Sequence, residues 1–497
     1  MDLTAYREEV ERFCQSLAEE EYLTGSGRKE TAQQRLIYER HGDLFTDAAH
    51  ASLREALGAA QSPAERRQLG YLVAFVVDGL IEIEVRDLED EVTDAEIQGK
   101  ITVEGREIPY RQGMIRMENE PDRGRRSAIV DAMGRLRTEV LNPLRAEIFR
   151  SIERRAAQLG YASYPELCRS VRGLPLDEVD RRMQAFVAET DELYRLHLER
   201  MLRAAGIPPA EAATHDVAYL SRSRGYDKYF PSEGAVPALK HTLREMGIDL
   251  GFQKEIVLDL EPRPGKSPRA FCAPVQIPGR IYLVTAPHGG PDDYRALFHE
   301  AGHAEHFAHF DPGLAMEDRY LGTMALTETF AFLMEDFQRN PRWCKEFLGL
   351  EDPAYQRRSD FLKLYLVRRY AAKLRYELGF YTRSSVEDNE RAYRDELESA
   401  LGITVPGHQY LTDVDTGFYA AEYLMAWMAE AVLRDRLKSR FGHRWWASPR
   451  AVDLLREAWR QGETITVNEL LDLAGAGPLG EEALIEELKQ NLSVAVP

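Results

Sequence analysis

The feature that most constrains the fold is the stretch His299-Glu300-Ala301-Gly302-His303. Residues four positions apart lie on one face of an α-helix, because about 3.6 residues complete a turn. With a carboxylate beside the first histidine, the stretch matches the H-E-x-x-H pattern, in which two imidazoles bind one zinc ion. The pattern therefore predicts a continuous helix and indicates metal-assisted hydrolysis.

The flanks of this motif favour a single uninterrupted helix. Residues 293–310 contain no proline, and apolar side chains recur along them at helical spacing. Pro291-Asp292-Asp293 supplies a turn and capping groups, and Pro312-Gly313 supplies a stop. A pattern this short also occurs by chance in unrelated proteins, so the interpretation depends on a third metal ligand.

The predicted third ligand is Glu328, within the apolar, helical pattern of residues 326–337. Breaks at Pro312-Gly313 and Leu321-Gly322 separate this segment from the first helix, and a helix–loop–helix of this length can return Glu328 to the two histidines. The alternative is a surface carboxylate on an amphipathic helix. The apolar surroundings favour the ligand, because a buried charge needs a partner or a metal.

These residues together resemble a known family. The pattern His299-Glu300-x-Gly302-His303-x-x-His306, followed by Glu328, is similar to that of the thimet oligopeptidase and oligoendopeptidase F family of gluzincin zinc peptidases. Residues 270–284, 417–427 and 441–475 add to the similarity, which is greatest to the bacterial oligoendopeptidase-like branch. The resemblance covers about residues 150–495.

The resemblance implies roles for individual residues. His299, His303 and Glu328 would bind one Zn²⁺ per chain, and Glu300 would be the general base that takes a proton from the attacking water. Because the substrates of this family are peptides, the implied partners are short unfolded peptides.

The resemblance also implies hydrogen-bond donors for the oxyanion of the tetrahedral intermediate. The matching candidates are Tyr419 and Tyr423, with His408 as a further donor. Here the sequence departs from the family pattern, because Asp413 and Asp415 intrude and the tyrosine spacing differs. The sequence therefore does not decide which tyrosine faces the oxyanion. For Tyr423, the alternative is a core aromatic residue of an amphipathic helix.

Two further residues are expected beside the metal ligands. His306 lies one turn beyond His303 on the same helix face. The resemblance implies that it lies near the site without binding the metal. The alternative is a partly buried, hydrogen-bonded histidine. Glu335 lies two turns beyond Glu328, so it can accept the second ring N–H of a zinc-bound histidine. An ion pair elsewhere is the alternative for Glu335.

The run Ile281-Tyr282-Leu283-Val284 is predicted to be a strand. Pro278-Gly279 and Pro287 flank it, and flanking prolines suggest the edge of a sheet. An exposed edge could pair with an extended peptide through main-chain hydrogen bonds. A buried internal strand is the alternative.

Bulk properties exclude several classes of partner. The 497-residue chain carries a formal net charge of −19, which argues against nucleic acid and anionic membranes as partners. The longest apolar run, residues 71–77, is too short to span a bilayer, and the N-terminus shows no signal-peptide pattern. Four widely separated cysteines without a C-x-x-C pattern indicate reduced thiols and a cytoplasmic location.

The pattern along the chain predicts a mainly α protein. Residues 1–215 are expected to form a helical N-terminal lobe, and residues 216–497 a catalytic region with the metal helix, a small sheet and C-terminal helices. Strands are predicted at 255–260 and within 271–284, with a small hairpin at 99–109. The resemblance implies two helical lobes enclosing a deep substrate channel, with the sheet next to the metal-binding helix.

Three functions are compatible with these observations. The first, implied by the resemblance, is a zinc-dependent oligopeptidase that cleaves internal bonds of short peptides. The second is a carboxypeptidase or dipeptidyl carboxypeptidase, which needs a cation for the terminal carboxylate; Arg368, Arg369 and Lys373 are candidates. The third is a non-catalytic, zinc-stabilised helical scaffold, which would have no need of Glu300.

Overall fold

The computed structural model describes residues 1–383 and 385–493, which form two compact units. Each unit combines segments that are far apart in the chain. The first unit contains residues 1–79, 224–356 and 425–484, and the second contains residues 80–223, 357–383, 385–424 and 485–493. This division differs from the predicted boundary at residue 215, because packing joins the N-terminal helices to the region of the H-E-x-x-H motif.

Helices dominate the described chain, which confirms the mainly α fold class. They are α1 (Leu3–Gly25), α2 (Gln34–Arg40), α3 (Asp47–Ala59), α4 (Pro63–Gln98), α5 (Gly113–Asn119), α6 (Arg123–Leu136), α7 (Asn142–Gln158), α8 (Tyr164–Arg172), α9 (Leu176–Glu189), α10 (Asp191–Ala204), α11 (Thr214–Ser221), α12 (Ala235–Glu245), α13 (Pro291–Ala308), α14 (Met316–Tyr320), α15 (Met324–Glu335), α16 (Pro341–Leu348), α17 (Pro353–Phe380), α18 (Glu390–Leu401), α19 (Tyr419–Phe441), α20 (Pro449–Arg460), α21 (Val467–Ala474) and α22 (Glu482–Ser493).

Two small sheets accompany the helices. In the second unit, β1 (Lys100–Val103) and β2 (Arg106–Pro109) form the predicted antiparallel hairpin. In the first unit, β3 (Ile256–Asp259), β4 (Phe271–Gln276) and β5 (Arg280–Val284) form a sheet of order β3-β5-β4. This sheet packs next to α13, the helix that carries the H-E-x-x-H motif, as predicted.

The predicted edge position of Ile281–Val284 is wrong, because these residues lie in β5, the central strand. Strand β5 pairs in parallel with β3 and antiparallel with β4. Ile281, Leu283 and Val284 are buried, and Pro278 lies in the turn between β4 and β5, so it does not interrupt a ladder. The edge beside the metal helix belongs to β4.

Helix α1 covers one face of this sheet. The rings of Tyr22 and Tyr282 stack with centroids 3.6 Å apart, and the Tyr22 hydroxyl donates to Asp259 over 3.1 Å. Asp259 also accepts hydrogen bonds from Arg263 and Lys266. These contacts show how an N-terminal segment without a recognisable motif becomes part of the unit that contains the metal helix.

The core of the first unit is built by α12, α13, α15, α16, α20 and α21, together with the turn before α20. Its members include Phe298, Leu326, Trp343, Trp446 and Leu455, all of them almost completely buried. Two apolar α13 residues, Leu297 and Phe298, thus face this core, which fixes the rotation of the helix about its axis.

Two further predictions concern the whole described chain. No helix within residues 1–383 and 385–493 has the combination of length and apolar content needed to cross a bilayer. The four cysteines are free thiols, as expected from their separation in the sequence.

Candidate metal centre

Helix α13 places the H-E-x-x-H motif on one uninterrupted helix, as predicted. Pro291 occupies the first turn, where its missing N–H leaves no hydrogen bond unmade. Asp292 and Asp293 lie in the same turn, where negative charge complements the helix dipole. The helix continues to Ala308 without interruption.

Gly302 allows α15 to approach α13 closely. A Cβ atom at position 302 would lie 2.6 Å from the Cα of Ala331 and 2.7 Å from the carbonyl oxygen of Phe330. Because both atoms belong to the α15 backbone, any larger residue would push the two helices apart. The glycine within the motif thus determines how near Glu328 of α15 comes to the histidines of α13.

His299, His303 and Glu328 are brought together by this packing. One ligand atom from each lies within 4.8 Å of the others. The Nε2 of His299 lies 3.3 Å from Glu328 Oε2, and the Nε2 of His303 lies 3.6 Å from Oε1. Two imidazoles and one carboxylate, mostly buried, are the donor set that catalytic zinc takes from a protein, with a further position left open.

The other ring nitrogens of both histidines have acceptors. His299 Nδ1 lies 3.0 Å from Glu335 Oε2, and His303 Nδ1 lies 2.8 Å from Thr327 Oγ1. A proton on Nδ1 that is donated to such an acceptor leaves Nε2 as the lone-pair donor for a metal. The contact to Glu335 corresponds to the predicted one, whereas nothing in the sequence distinguishes Thr327 from its neighbours.

Arg295 is a further residue that the sequence analysis missed. Its guanidinium lies 3.4 Å from Glu335 and donates to Asp292 over 2.9 Å. Arg295 therefore holds the carboxylate that in turn holds His299. Its position one turn before His299 on α13 was the available signal, because residues four apart share a helix face.

The charges around the cluster favour a cation. Burial alone would lower the pKa of His299, but hydrogen bonds with Glu328 and Glu335 outweigh it and raise the pKa to about 10. Burial lowers the pKa of His303 to about 4. Burial would raise the pKa of Glu335, but Arg295 and His299 bring it to about 2. The carboxylates of Glu328 and Glu335 thus stabilise positive charge within the cluster.

The side chain of Glu300, on α13, contacts the neighbouring sheet. Its Oε2 accepts the backbone N–H of Cys272, in edge strand β4, over 2.9 Å. Burial raises the pKa of Glu300 to about 7, although His299 and the Cys272 N–H act in the opposite direction. A carboxylate with a pKa in this range can take up and release a proton near neutral pH.

His306 is completely buried, but it is not a member of the three-residue cluster. Its ring packs against Phe310 and Phe330 with centroid distances of 4.8 and 4.7 Å. Neither ring nitrogen has a hydrogen-bond partner among residues 1–383 and 385–493. Among these residues, His306 thus makes aromatic contacts rather than the hydrogen bonds of the alternative.

The predicted oxyanion donors belong to the second unit. Tyr419 and Tyr423 lie in the first turns of α19, both only half-buried, with ring centroids 4.5 Å apart. Their partial exposure disfavours the alternative of a core aromatic for Tyr423. His408 packs against Gly134, and its Nδ1 lies 3.5 Å from Arg137. Burial and Arg137 lower the pKa of His408 to about 4.

The cations considered for a terminal carboxylate are engaged within the second unit. Arg368 is fully buried and donates to the carbonyl oxygen of Ala400 and to Asp191. Arg369 and Lys373 form ion pairs with aspartates of the segment before α19. The carboxypeptidase hypothesis therefore lacks an available cation among these three residues.

Comparison with known proteins shows which solved structures share this fold. No protein-family model and no curated protein sequence matches the chain. A structure of PZ peptidase A with an inhibitor has a TM-score of 0.67 at 17% identity, covering 92% of this chain and 86% of that one. A structure assigned to oligoendopeptidase F of Bacillus anthracis strain Ames has a TM-score of 0.66 at 16% identity, covering 94% and 86%.

A second structure assigned to oligoendopeptidase F agrees with these two. Its TM-score is 0.68 at 16% identity, covering 98% of this chain and 91% of that one. The chain has the oligoendopeptidase F fold over nearly its full length. The resemblance first seen around the H-E-x-x-H motif is thus confirmed at the level of the fold.

Proposed function

We propose that the protein is a zinc-dependent oligopeptidase that hydrolyses internal bonds of short, unfolded peptides. The observation that carries the proposal is the cluster of His299, His303 and Glu328 with Glu300 beside it. The fold shared with PZ peptidase A and oligoendopeptidase F, both peptidases by name, supports a peptidase.

The donor set of the cluster suits one zinc ion. His299 and His303 would bind it through Nε2, and Glu328 through a carboxylate oxygen, which leaves a position for reacting groups. When bound, zinc supplies a Lewis acid that polarises the scissile carbonyl and lowers the pKa of water to about 7. Glu335 and Thr327 hold the two imidazoles in the orientation that this binding requires.

Glu300 is the proposed general base. Glu300 directly follows the proposed ligand His299 on α13, so its carboxylate lies beside the metal site and can accept the proton of the attacking water. The same group can then return that proton to the leaving amine. The hydrogen bond from Cys272 to Oε2 orients the carboxylate and leaves Oε1 for the proton transfers.

Tyr419 and Tyr423 are the proposed hydrogen-bond donors to the oxyanion. Their hydroxyls are neutral donors on partly exposed side chains at the start of α19. His408 remains the further candidate, but its packing against Gly134 and Arg137 favours the tyrosines.

Digestion of a defined peptide tests this function. One peptide is offered with a free C-terminus and with an amidated C-terminus, and the products are identified by mass spectrometry with and without a chelator. We expect cleavage of the same internal bond in both peptides, loss of cleavage with chelator, and recovery when zinc is returned. Cleavage that requires the free carboxylate would support a carboxypeptidase instead.

Glu300→Gln distinguishes an enzyme from a zinc-stabilised scaffold. We expect this variant to keep about one zinc per chain and to lose hydrolysis by a factor of about 10²–10⁴, the usual contribution of general acid–base catalysis. Glu351→Gln, which changes an exposed glutamate of the same unit, is the matched control and should hydrolyse like the parent. Unchanged hydrolysis in Glu300→Gln would contradict the proposed role.

A further inference from the structure

The two aspartates that interrupt the tyrosine-rich segment, Asp413 and Asp415, are both paired with helix α17. Arg369 donates to both carboxylate oxygens of Asp413, over 2.7 and 2.8 Å. Lys373, one turn further along α17, lies 2.7 Å from Asp415. Charge-assisted hydrogen bonds of this kind are short and directional, particularly where water is largely excluded.

Glu377, a turn beyond Lys373, completes this arrangement. It is fully buried, and its Oε1 accepts the backbone N–H of Asp415 over 2.7 Å. Burial raises the pKa of Glu377 well above its usual value, although Lys373, 3.8 Å away, acts in the opposite direction. Arg369 and Lys373 place two cations directly opposite the carboxylates of Asp413 and Asp415.

The residues that follow Asp415 form a tight turn into α19. Gly417 and Phe418 both have positive φ angles, of 80° and 57°. The Gly417 N–H donates to the hydroxyl of Tyr164 over 2.8 Å, and the ring of Phe418 is completely buried. The φ angle of Gly417 lies in the left-handed region, which favours glycine, and a Cβ atom there would also displace the end of the Arg172 side chain.

Aromatic contacts connect α17 directly to the candidate tyrosines. Tyr370 lies next to Arg369 on α17, and its ring meets that of Tyr423 edge to face, with centroids 5.5 Å apart. Tyr423 in turn meets Tyr419 edge to face at 4.5 Å. The helix that holds the aspartates therefore also packs against the tyrosine pair.

We propose that the ion pairs of Asp413 and Asp415 with α17 fix the start of α19. They thereby set the positions of the Tyr419 and Tyr423 hydroxyls, which makes the two aspartates positioning residues for hydrolysis. We call the five residues Arg369, Lys373, Glu377, Asp413 and Asp415 the α17 clamp. The inference rests on the proposed function, in which these hydroxyls stabilise the oxyanion.

Asp415→Asn is the most informative variant, because the side chain is one-third exposed and an amide of equal size preserves packing. We expect kcat to fall about tenfold, since small displacements of catalytic groups slow chemistry strongly, while KM changes less than about twofold. Zinc content should equal that of the parent. Asp415→Glu, which restores the charge, should recover part of kcat.

A double-mutant cycle tests whether Asp415 acts through the tyrosines. In the background of Tyr419→Phe with Tyr423→Phe, we expect Asp415→Asn to slow hydrolysis by less than about twofold, because the hydroxyls that it positions are absent. A tenfold loss that persists in this background would overturn the positioning role.

Hydrogen exchange tests the clamp independently of peptide hydrolysis. We expect faster exchange in Asp415→Asn at the amides of residues 413–423 and unchanged exchange at residues 291–308. The control is Arg375→Met on the same helix, which removes an exposed ion pair with Asp180 and should alter neither exchange nor kcat. If the parent did not hydrolyse peptides, the proposed function would fail, whereas hydrogen exchange would still test the clamp. Exchange in Asp415→Asn equal to that in the parent would overturn the proposed role of the clamp.

Discussion

The candidate metal centre and the α17 clamp both hold carboxylates in largely enclosed positions, but they compensate the negative charge differently. In the metal centre, Glu328 faces two imidazole nitrogens, which are lone-pair donors when the rings are neutral. In the clamp, Asp413 and Asp415 face the guanidinium of Arg369 and the ammonium of Lys373. In the metal centre an external cation would replace the proton that the carboxylates stabilise on His299, whereas the clamp carries its cations on α17.

The two regions also differ in how the chain builds them. The metal centre uses two helices that are close in sequence, with side chains placed by helical periodicity. The clamp joins helix α17 to an irregular segment that starts well beyond it, so its geometry depends on ion pairs and on one turn with positive φ angles. We therefore expect variants in the first region to change metal binding and those in the second to change kcat or stability.

The largest effect is expected from Glu328→Ala. Removal of one of three donors should abolish stable zinc binding and lower hydrolysis by about 10³-fold or more, because the Lewis acid is lost with the metal. Zinc per chain is measured by elemental analysis together with peptide hydrolysis, and Glu351→Ala serves as the exposed control. A zinc content equal to the parent's would remove Glu328 from the proposed ligand set.

The next effect in size is expected from Tyr423→Phe and Tyr419→Phe, measured separately. Loss of the hydroxyl that meets the oxyanion should lower kcat by about 10²-fold, with zinc content and KM near parental values. If only one of the two variants shows the full loss of kcat, the tyrosine changed in that variant is the donor. Tyr219→Phe, also in the second unit, is the control. Parental kcat in both variants would assign the oxyanion to another donor.

A smaller effect on metal affinity is expected from Glu335→Gln. The neutral amide should hold His299 less firmly and make its Nε2 a weaker donor, so zinc affinity should fall about 10- to 100-fold. Competition with a chelator of known affinity measures this change. Arg295→Met should act in the same direction and more weakly, because it reaches His299 only through Glu335. Unaltered affinity in both variants would show that these contacts do not support the metal.

The smallest effect is expected from Asp413→Asn, and it depends on pH. Burial alone would raise the pKa of Asp413, but Arg369 and Lys373 outweigh it and hold the pKa below 3.8. The charged form therefore stabilises the fold above the usual aspartate pKa, and this contribution is lost as the pH falls through the lowered value.

Denaturant unfolding of the parent and Asp413→Asn across pH measures this contribution. We expect the variant to lose about 1 kcal/mol of unfolding free energy at pH 7, because the amide still accepts a hydrogen bond and only the difference between a charged and a neutral acceptor is lost. The difference should shrink as the pH falls below 3.8, where the parent carboxylate also becomes neutral. A constant difference would show that charge is not the cause.

Much of the fold near the metal helix could be predicted because its signals are local. The spacing of His299 and His303 and the apolar pattern around Glu328 predicted α13 and α15, and β-branched runs predicted the strands. The strand order could not be predicted, since pairing is decided between segments, and β5 is the central strand although prolines flank it. The contacts of Thr327 and Arg295 were missed for the same reason.

The sequence by itself determined that His299, Glu300 and His303 share one helix, because helical periodicity depends only on neighbouring residues. Only the tertiary structure decided how near Glu328 comes to them, since that distance depends on the crossing of two helices at Gly302. It also decided that Asp413 and Asp415, which the sequence showed only as a departure from a pattern, find cations on α17. Charges buried between distant segments must be compensated in space, and the sequence order does not contain that information.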